Sequence, residues 1–430
     1  TLNLAGGTLA VTGKAATATY QTVAATNLGL GASAVAVTPG STGTAALYLG
    51  TLARVPGAVV NFTLPSGAQN SANGVVVGNL PTNGLLGGWA TVGGTTFAGV
   101  TGGNVTGLAL TDYVANAWSA GANVDVRSTN TVADGASANA LRFATPGGLV
   151  VNLAGTASLA SGGLLVAPAT GAAVASVNGG TLTSGVNEFI VTQANTASTF
   201  VLNSVLADGA APASLTKSGA GTLLLNGANT FTGGVTIAAG TLAILSDANL
   251  GAVPAAAGTA VTLAGGTLST ATNVALDAKR GVALAADSAV AVSTGANLTV
   301  NGAVSGQGGL TKTGNGTLTL AGAGTATGAT RAAAGTLALA NAAALAGSTL
   351  NLASGDTGAV SFGALTSAQL GGLAGARGLS LSNLGNAAVA LSVGANGANT
   401  TYAGVLSGLG SLTKVGTGTL TLAGSSTFSG

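Results

Sequence analysis

Along most of the chain, apolar and polar residues alternate one by one in short runs, and glycine breaks the runs. Leu318, Thr319 and Leu320 form one such triplet, bounded by Gly314 and Gly316, and Leu223 to Leu225 form another after Gly219 and Gly221. Alternation with a period of two predicts short strands with one buried face, not helices. Glycine tolerates the positive φ that a sharp corner between strands demands. The apolar positions are mostly Ala, Val, Leu and Ile, small enough to stack in a thin core, with Thr, Ser and Asn facing out.

A longer period lies over the short one. The segment LTKSGAGTLLLNGANTFTGGVTIAAGTLAI from Leu215 returns as LTKTGNGTLTLAGAGTATGATRAAAGTLAL from Leu310, and again as LTKVGTGTLTLAGSSTFSG from Leu412. Copies roughly 100 residues apart are too widely spaced for single coils and fit modules of several coils. The expected fold is all-β, a parallel β-helix (β-solenoid), one continuous segment over residues 1–430 of a longer chain. At about 20 residues per coil and a rise of about 4.8 Å, it would be an elongated rod of roughly 20 coils, on the order of 100 Å long. Repeat motifs fall at 215–242, 310–337 and 412–430. Both ends read as cut: TLNLAGGTL from Thr1 is like VTLAGGTL from Val261, and Gly430 stops where the first copy runs on from Gly233. Asn226, Asn229 and Asn315 sit at or beside corners, where left-handed backbone or asparagine ladders account for them.

Residues 84–126 are less regular and hold Trp89, Phe97, Tyr113 and Trp118. These aromatics fit two readings: an elbow or side cover where a coil is interrupted, or a surface-binding patch.

Composition narrows the function classes. Only 5% of residues are charged and 3% aromatic, 73 are Gly, and a hydrophobic fraction of 47% argues against disorder. With no Cys, Met or His, disulfides, thiolate chemistry, imidazole acid–base work and the commonest metal ligands are all absent. The net charge of +2 comes from 11 cations and 9 anions with no basic cluster, so no nucleic-acid partner is expected. No uninterrupted apolar run is long enough for a membrane helix, and 2 Trp, 4 Tyr and 8 Phe are too few for the girdles of a membrane barrel.

Candidate chemistry is thin. Carbohydrate-active β-helices need two or three carboxylates converging on one face, and the nine acids here are mostly far apart in sequence. Asp277, Lys279, Arg280 and Asp287 form the densest group, read as a solvated loop. Asp125, Arg127 and Asp134 come next, read as a surface ion pair. Lys217, Lys312 and Lys414 recur at one position of the repeat and read as exposed charges that keep the chain soluble and block lateral strand pairing. No catalytic residue, cofactor or metal site is expected.

The motifs resemble the autotransporter-associated β-strand repeat, also called the passenger-associated transport repeat, close to LTKxGxGTLTLxGxNTYTGxTxxxxGTL. Residues 215–242 follow this pattern well; residues 310–337 depart from it at Ala326 and Arg331. The order of segments upstream, from GGWATVGGTTFA through LADG, also looks like that of very large β-strand-repeat surface proteins of planctomycetes. The resemblance implies an exported, right-handed bacterial β-helix at the cell surface or secreted, with no general catalytic residues. The function expected is a structural fibre, stalk or coat. The alternative is an adhesin-type passenger that binds glycan or a host surface through Trp89, Phe97, Tyr113 and Trp118; the third reading is a carbohydrate-active enzyme. Unpaired strand edges at solenoid ends add head-to-tail self-association into filaments as an expected partner mode.

Overall fold

The computed structural model describes all of residues 1–430. The chain has no α-helix: its strands lie parallel in stacked coils, a β-solenoid of about 18 turns. It divides into two compact units, Thr1–Leu242 and Ala243–Gly430.

The first unit contains two parallel stacks. In the first stack, strands Thr8–Thr12, Gly31–Thr38, Ala58–Thr63 and Ala90–Val92 follow one another in parallel register, with Thr8 beside Ala34 and Val35 beside Phe62. A second side is built from Ala18–Thr22, Thr44–Tyr48 and Gly74–Val76, and a third from Leu2–Leu4, Ala25–Leu28 and Thr51–Arg54. The inward residues of all three sides meet in one core that includes Leu28, Val35, Leu47, Val60 and Phe62.

Parallel stacking then stops. Thr96–Thr101 pairs antiparallel with Ala90–Val92 and with Asn104–Gly107, and the latter pairs antiparallel with Gly74–Val76. This hairpin joins two sides of the coil into one sheet, so the strand edges of those two sides are paired at that end of the stack. It lies within residues 84–126, the stretch read from sequence as less regular.

Coils resume in the second stack at Tyr113–Ala115 and proceed through Asn123–Val126, Ser137–Phe143, Thr156–Val166, Glu188–Gln193, Ser214–Ser218 and Val235–Ile237. Several of these strands, among them Ser137–Phe143 and Glu188–Gln193, are buried on both faces. Their second face is covered by the first stack: Phe97, Leu85 and Leu108 pack on Tyr113, Ala140 and Leu165, and Val59 packs with Ile190 and Ala238. The asparagine ladder expected near Asn226 is present, with Asn226 Nδ2 donating to Asn203 Oδ1 and Asn203 Nδ2 to Asn178 Oδ1.

The second unit is a regular three-sided solenoid. One side runs through Thr267–Thr270, Ser288–Val292, Leu310–Thr313 and Thr330–Ala332, and another through Val274–Leu276, Asn297–Val300, Thr317–Leu320 and Thr336–Leu339. Strict alternation buries Leu298 and Val300, Leu318 and Leu320, then Leu337 and Leu339 in successive coils. The core is a column of like residues, as the sequence pattern predicts.

Candidate functional site

The recurrent lysines are structural. Lys217 and Lys312 are fully buried, contrary to the expectation of exposed solubilising charges. Lys217 Nζ donates to the carbonyls of Ser218, Gly219 and Ala239 at 2.7, 2.7 and 3.0 Å. Lys312 Nζ does the same to Thr313, Gly314 and Ala334 at 2.8, 2.8 and 3.2 Å. All three ammonium protons thus satisfy corner carbonyls that the strand ladders leave free. Burial pushes the Lys217 ammonium down to about 7 and that of Lys312 to about 8. Lys414 makes the same first two bonds, to Val415 and Gly416, and remains exposed. The signal was in the sequence: Leu215 and Lys217 are two apart in one strand and so share its inward face.

The densest charged group is also dispersed into structural roles. Arg280 is 1% exposed and pairs with Asp247 through Nε and Nη2 while donating to the carbonyls of Leu250 and Gly251. Asp277 accepts the Lys279 backbone N–H and Asp287 that of Gly309, so the solvated loop read from sequence is corrected to three separate anchors. Asp134 likewise accepts the Thr156 N–H at 2.7 Å, apart from Asp125.

Asp125 belongs to a different setting. It lies in the floor of a cleft of about 870 Å³ where the two stacks of the first unit meet, and the walls come from Thr95, Thr96 and Leu108 on one side and Ala144, Pro146 and Ala167 on the other. The ladder sets Asp125 directly beside Arg142 on the next strand. Asp125 Oδ1 accepts from Arg142 Nε and Oδ2 from Arg127 Nε, both at 2.9 Å. The Asp125 carboxylate and the Arg142 side chain are each 4% exposed, whereas Arg127 is 43% exposed. The surface ion pair expected here is therefore a buried Asp125–Arg142 pair with Arg127 reaching in from the rim. The guanidinium of Arg142 lies 3.8 Å from the centre of the Tyr113 ring, a cation–π contact. The Tyr113 hydroxyl is 2.9 Å from Thr96 Oγ1 and accepts the Phe97 N–H at 3.1 Å. Burial raises the Tyr113 phenol above its ordinary value, against the lowering effect of these hydrogen bonds and of Arg142.

Of the four aromatics read as a surface patch, Phe97 and Tyr113 lie in the interior between the stacks, and Trp89 and Trp118 are half-buried. Trp89 packs against Val59, Ile190 and Ala238 and carries the Arg54 guanidinium 5.7 Å from its ring centre. Packing between the stacks takes up Phe97 and Tyr113 and part of Trp89. Arg142, absent from the sequence reading, is the residue that organises the cleft.

Parallel coils, buried corner lysines and recurrent glycine turns define a β-solenoid repeat protein. The passenger-associated-transport-repeat family matches residues 215–244, 310–339 and 412–430, so the chain carries three copies of that repeat. It is 33% identical over 265 residues to the adhesin BmaC autotransporter of Brucella suis biovar 1 (strain 1330). That match covers 58% of this chain and 7% of the relative's length. No solved structure matches the chain. No helix is long and apolar enough to cross a membrane.

Proposed function

We propose that the chain is a segment of a cell-surface autotransporter passenger whose role is adhesive and non-enzymatic. The observation that carries this reading is the combination of three passenger repeats with similarity to an autotransporter adhesin over more than half of the chain. The chemistry of the cleft supports it. Asp125 is the only carboxylate lining the junction cleft and both of its oxygens are engaged by arginines, whereas glycoside hydrolysis uses a pair of carboxylates about 5–10 Å apart.

The test is display of residues 1–430 on a non-adherent bacterial host, followed by counting cells retained on epithelial monolayers and on matrix-coated plastic. An increase of about tenfold over a host displaying an unrelated solenoid supports adhesion, and equal retention overturns it.

A structural role, in which the coils act as a stalk or spacer, is favoured by the second unit, where Thr, Ser, Asn and Ala occupy the outward positions of successive strands such as Asn297–Val300 and Thr336–Leu339. Under this reading displayed cells carry visible surface projections and show no gain in retention.

A further inference from the structure

We propose that the junction cleft of the first unit binds an acidic saccharide, seating its carboxylate or sulfate on the guanidinium groups of Arg142 and Arg127. The proposal rests on the reading of the chain as a non-enzymatic surface segment and names what such a segment would hold.

Two buried arginines in this protein differ in how far their donors are used. Arg280 is saturated: Nε, Nη1 and Nη2 all reach acceptors, a carboxylate and two carbonyls. Arg142, 96% out of solvent, donates only through Nε, to Asp125. Its Nη1 and Nη2 protons meet no acceptor in the protein, and the residue lines the cleft. Both nitrogens open into the cleft and are not sealed inside the protein, and a planar guanidinium edge left free in a cavity matches a carboxylate or sulfate through two parallel hydrogen bonds.

Charge points the same way. Two guanidinium groups face one carboxylate, which leaves one positive charge in excess at the cleft floor. The Tyr113 ring behind Arg142, itself held by Thr96 and Phe97, fixes the guanidinium plane before any ligand arrives. Preorganisation of this kind favours binding of an anion over collapse of the arginine onto protein acceptors.

The walls favour a sugar over an acidic peptide. Thr95, Thr111 and Thr145 offer hydroxyls, and Leu110 and Pro146 offer small apolar surfaces suited to the C–H faces of a pyranose. A volume of about 870 Å³ admits more than one sugar ring and lies within the usual range for ligand clefts. Extended peptides commonly bind by adding a strand to a free sheet edge. Strand Ser137–Phe143, which carries Arg142, is paired on both sides and offers none.

The experiment is calorimetric titration of purified residues 1–430 with sialyllactose, a uronate-containing disaccharide and a sulfated disaccharide, against lactose and a polyglutamate peptide. The acidic sugars are expected to bind, more weakly as salt is raised, and lactose is not. Arg127→Ala removes the exposed guanidinium and is expected to weaken binding about tenfold. Leu110→Trp fills the cleft from a side chain that is 65% exposed and is expected to do the same with an unchanged circular dichroism spectrum. These two variants keep the test decisive even where Arg142→Lys perturbs folding. Equal binding of lactose and sialyllactose, no binding of any acidic sugar at millimolar concentration, or indifference to both variants overturns the proposal. Polyglutamate binding as tight as the sugars overturns the saccharide assignment in favour of acidic peptides. Adhesion of displayed cells without sugar binding refutes this inference alone; sugar binding without adhesion refutes the adhesive reading alone.

Discussion

Arg54 Nη2 lies 2.8 Å from Glu188 Oε2 and 3.0 Å from Oε1, joining residues 134 positions apart and tying the first stack to the second. Glu188 also accepts the Gly57 N–H at 2.9 Å and the Thr216 hydroxyl at 2.6 Å. Arg54 is held in turn by the Ala58 carbonyl, 3.1 Å from Nε. One carboxylate therefore organises the contact between the stacks, with Val59, Ile190 and Trp89 packed close by.

Replacing that carboxylate with an amide tests its role. Glu188→Gln leaves the Arg54 charge partly buried without a counter-ion, and removing one member of a buried pair costs on the order of 3 kcal/mol. The expected result is a lower urea midpoint together with faster tryptic cleavage after Arg54. An unchanged midpoint and unchanged cleavage would show that apolar packing alone holds the stacks together.

The same interface depends on two glycines meeting face to face. A Cβ on Gly163 would stand 2.7 Å from Gly88 Cα and 3.1 Å from Phe97 Cε1. Gly163 has an ordinary backbone conformation, so Gly163→Ala is a steric test alone. It is expected to cost about 1–3 kcal/mol, as overpacking does. Gly258, with nothing within 4 Å of its added Cβ, is the control: Gly258→Ala should be neutral or slightly stabilising in the same urea titration.

Stacked coils were legible because the pattern that encodes them is local: alternation within strands such as Thr317–Leu320, with glycine between. The side-by-side packing in the first unit was not, because it joins residues such as Arg54 and Glu188 that share no period. A signal for it exists in Phe189, Ile190 and Val191, three consecutive apolar residues that a strand with one wet face would not carry. The cleft was half legible. Asp125 and Arg127 stood out as charges in a charge-poor chain, but nothing in the sequence joins Arg142 to them, and only the ladder places it beside Asp125. Tyr113 was noted as an aromatic, and only its burial shows that it serves Arg142 and not an outer surface.

Tyr113 links the hairpin that closes the first stack to the floor of the cleft. Tyr113→Phe keeps the ring under Arg142 and removes the hydroxyl, so the Phe97 N–H loses its partner and Thr96 Oγ1 loses one of its contacts. Leaving a buried amide unsatisfied costs about 1–3 kcal/mol. The expected outcome is a loss of that size in urea unfolding with faster hydrogen exchange at Phe97. Unaltered exchange at Phe97 would mean that water replaces the hydroxyl.

Lys217 gives a pH test with a defined sign. Its folded value, about 7, lies below the ordinary lysine value of 10.5, so over this interval the unfolded chain binds the proton more tightly than the folded one. Stability contributed by this group must therefore rise with pH between about 7 and 10.5, by at most about 1.4 kcal/mol per pH unit, and stay level below 7. Lys217→Met retains the aliphatic stem, removes the titration and leaves the Ser218, Gly219 and Ala239 carbonyls without their donor. At neutral pH the variant is expected to be less stable by about 1–3 kcal/mol, because buried acceptors lose their partner. Lys414→Met, at an exposed position, should change stability by no more than about 0.5 kcal/mol. Unfolding free energies of wild type and Lys217→Met at pH 6.5, 8 and 9.5 decide the point: the gap between them should widen as pH rises. A gap that is constant or narrows would mean that the three carbonyls hold the ammonium charged throughout, with the cost of its burial fully offset.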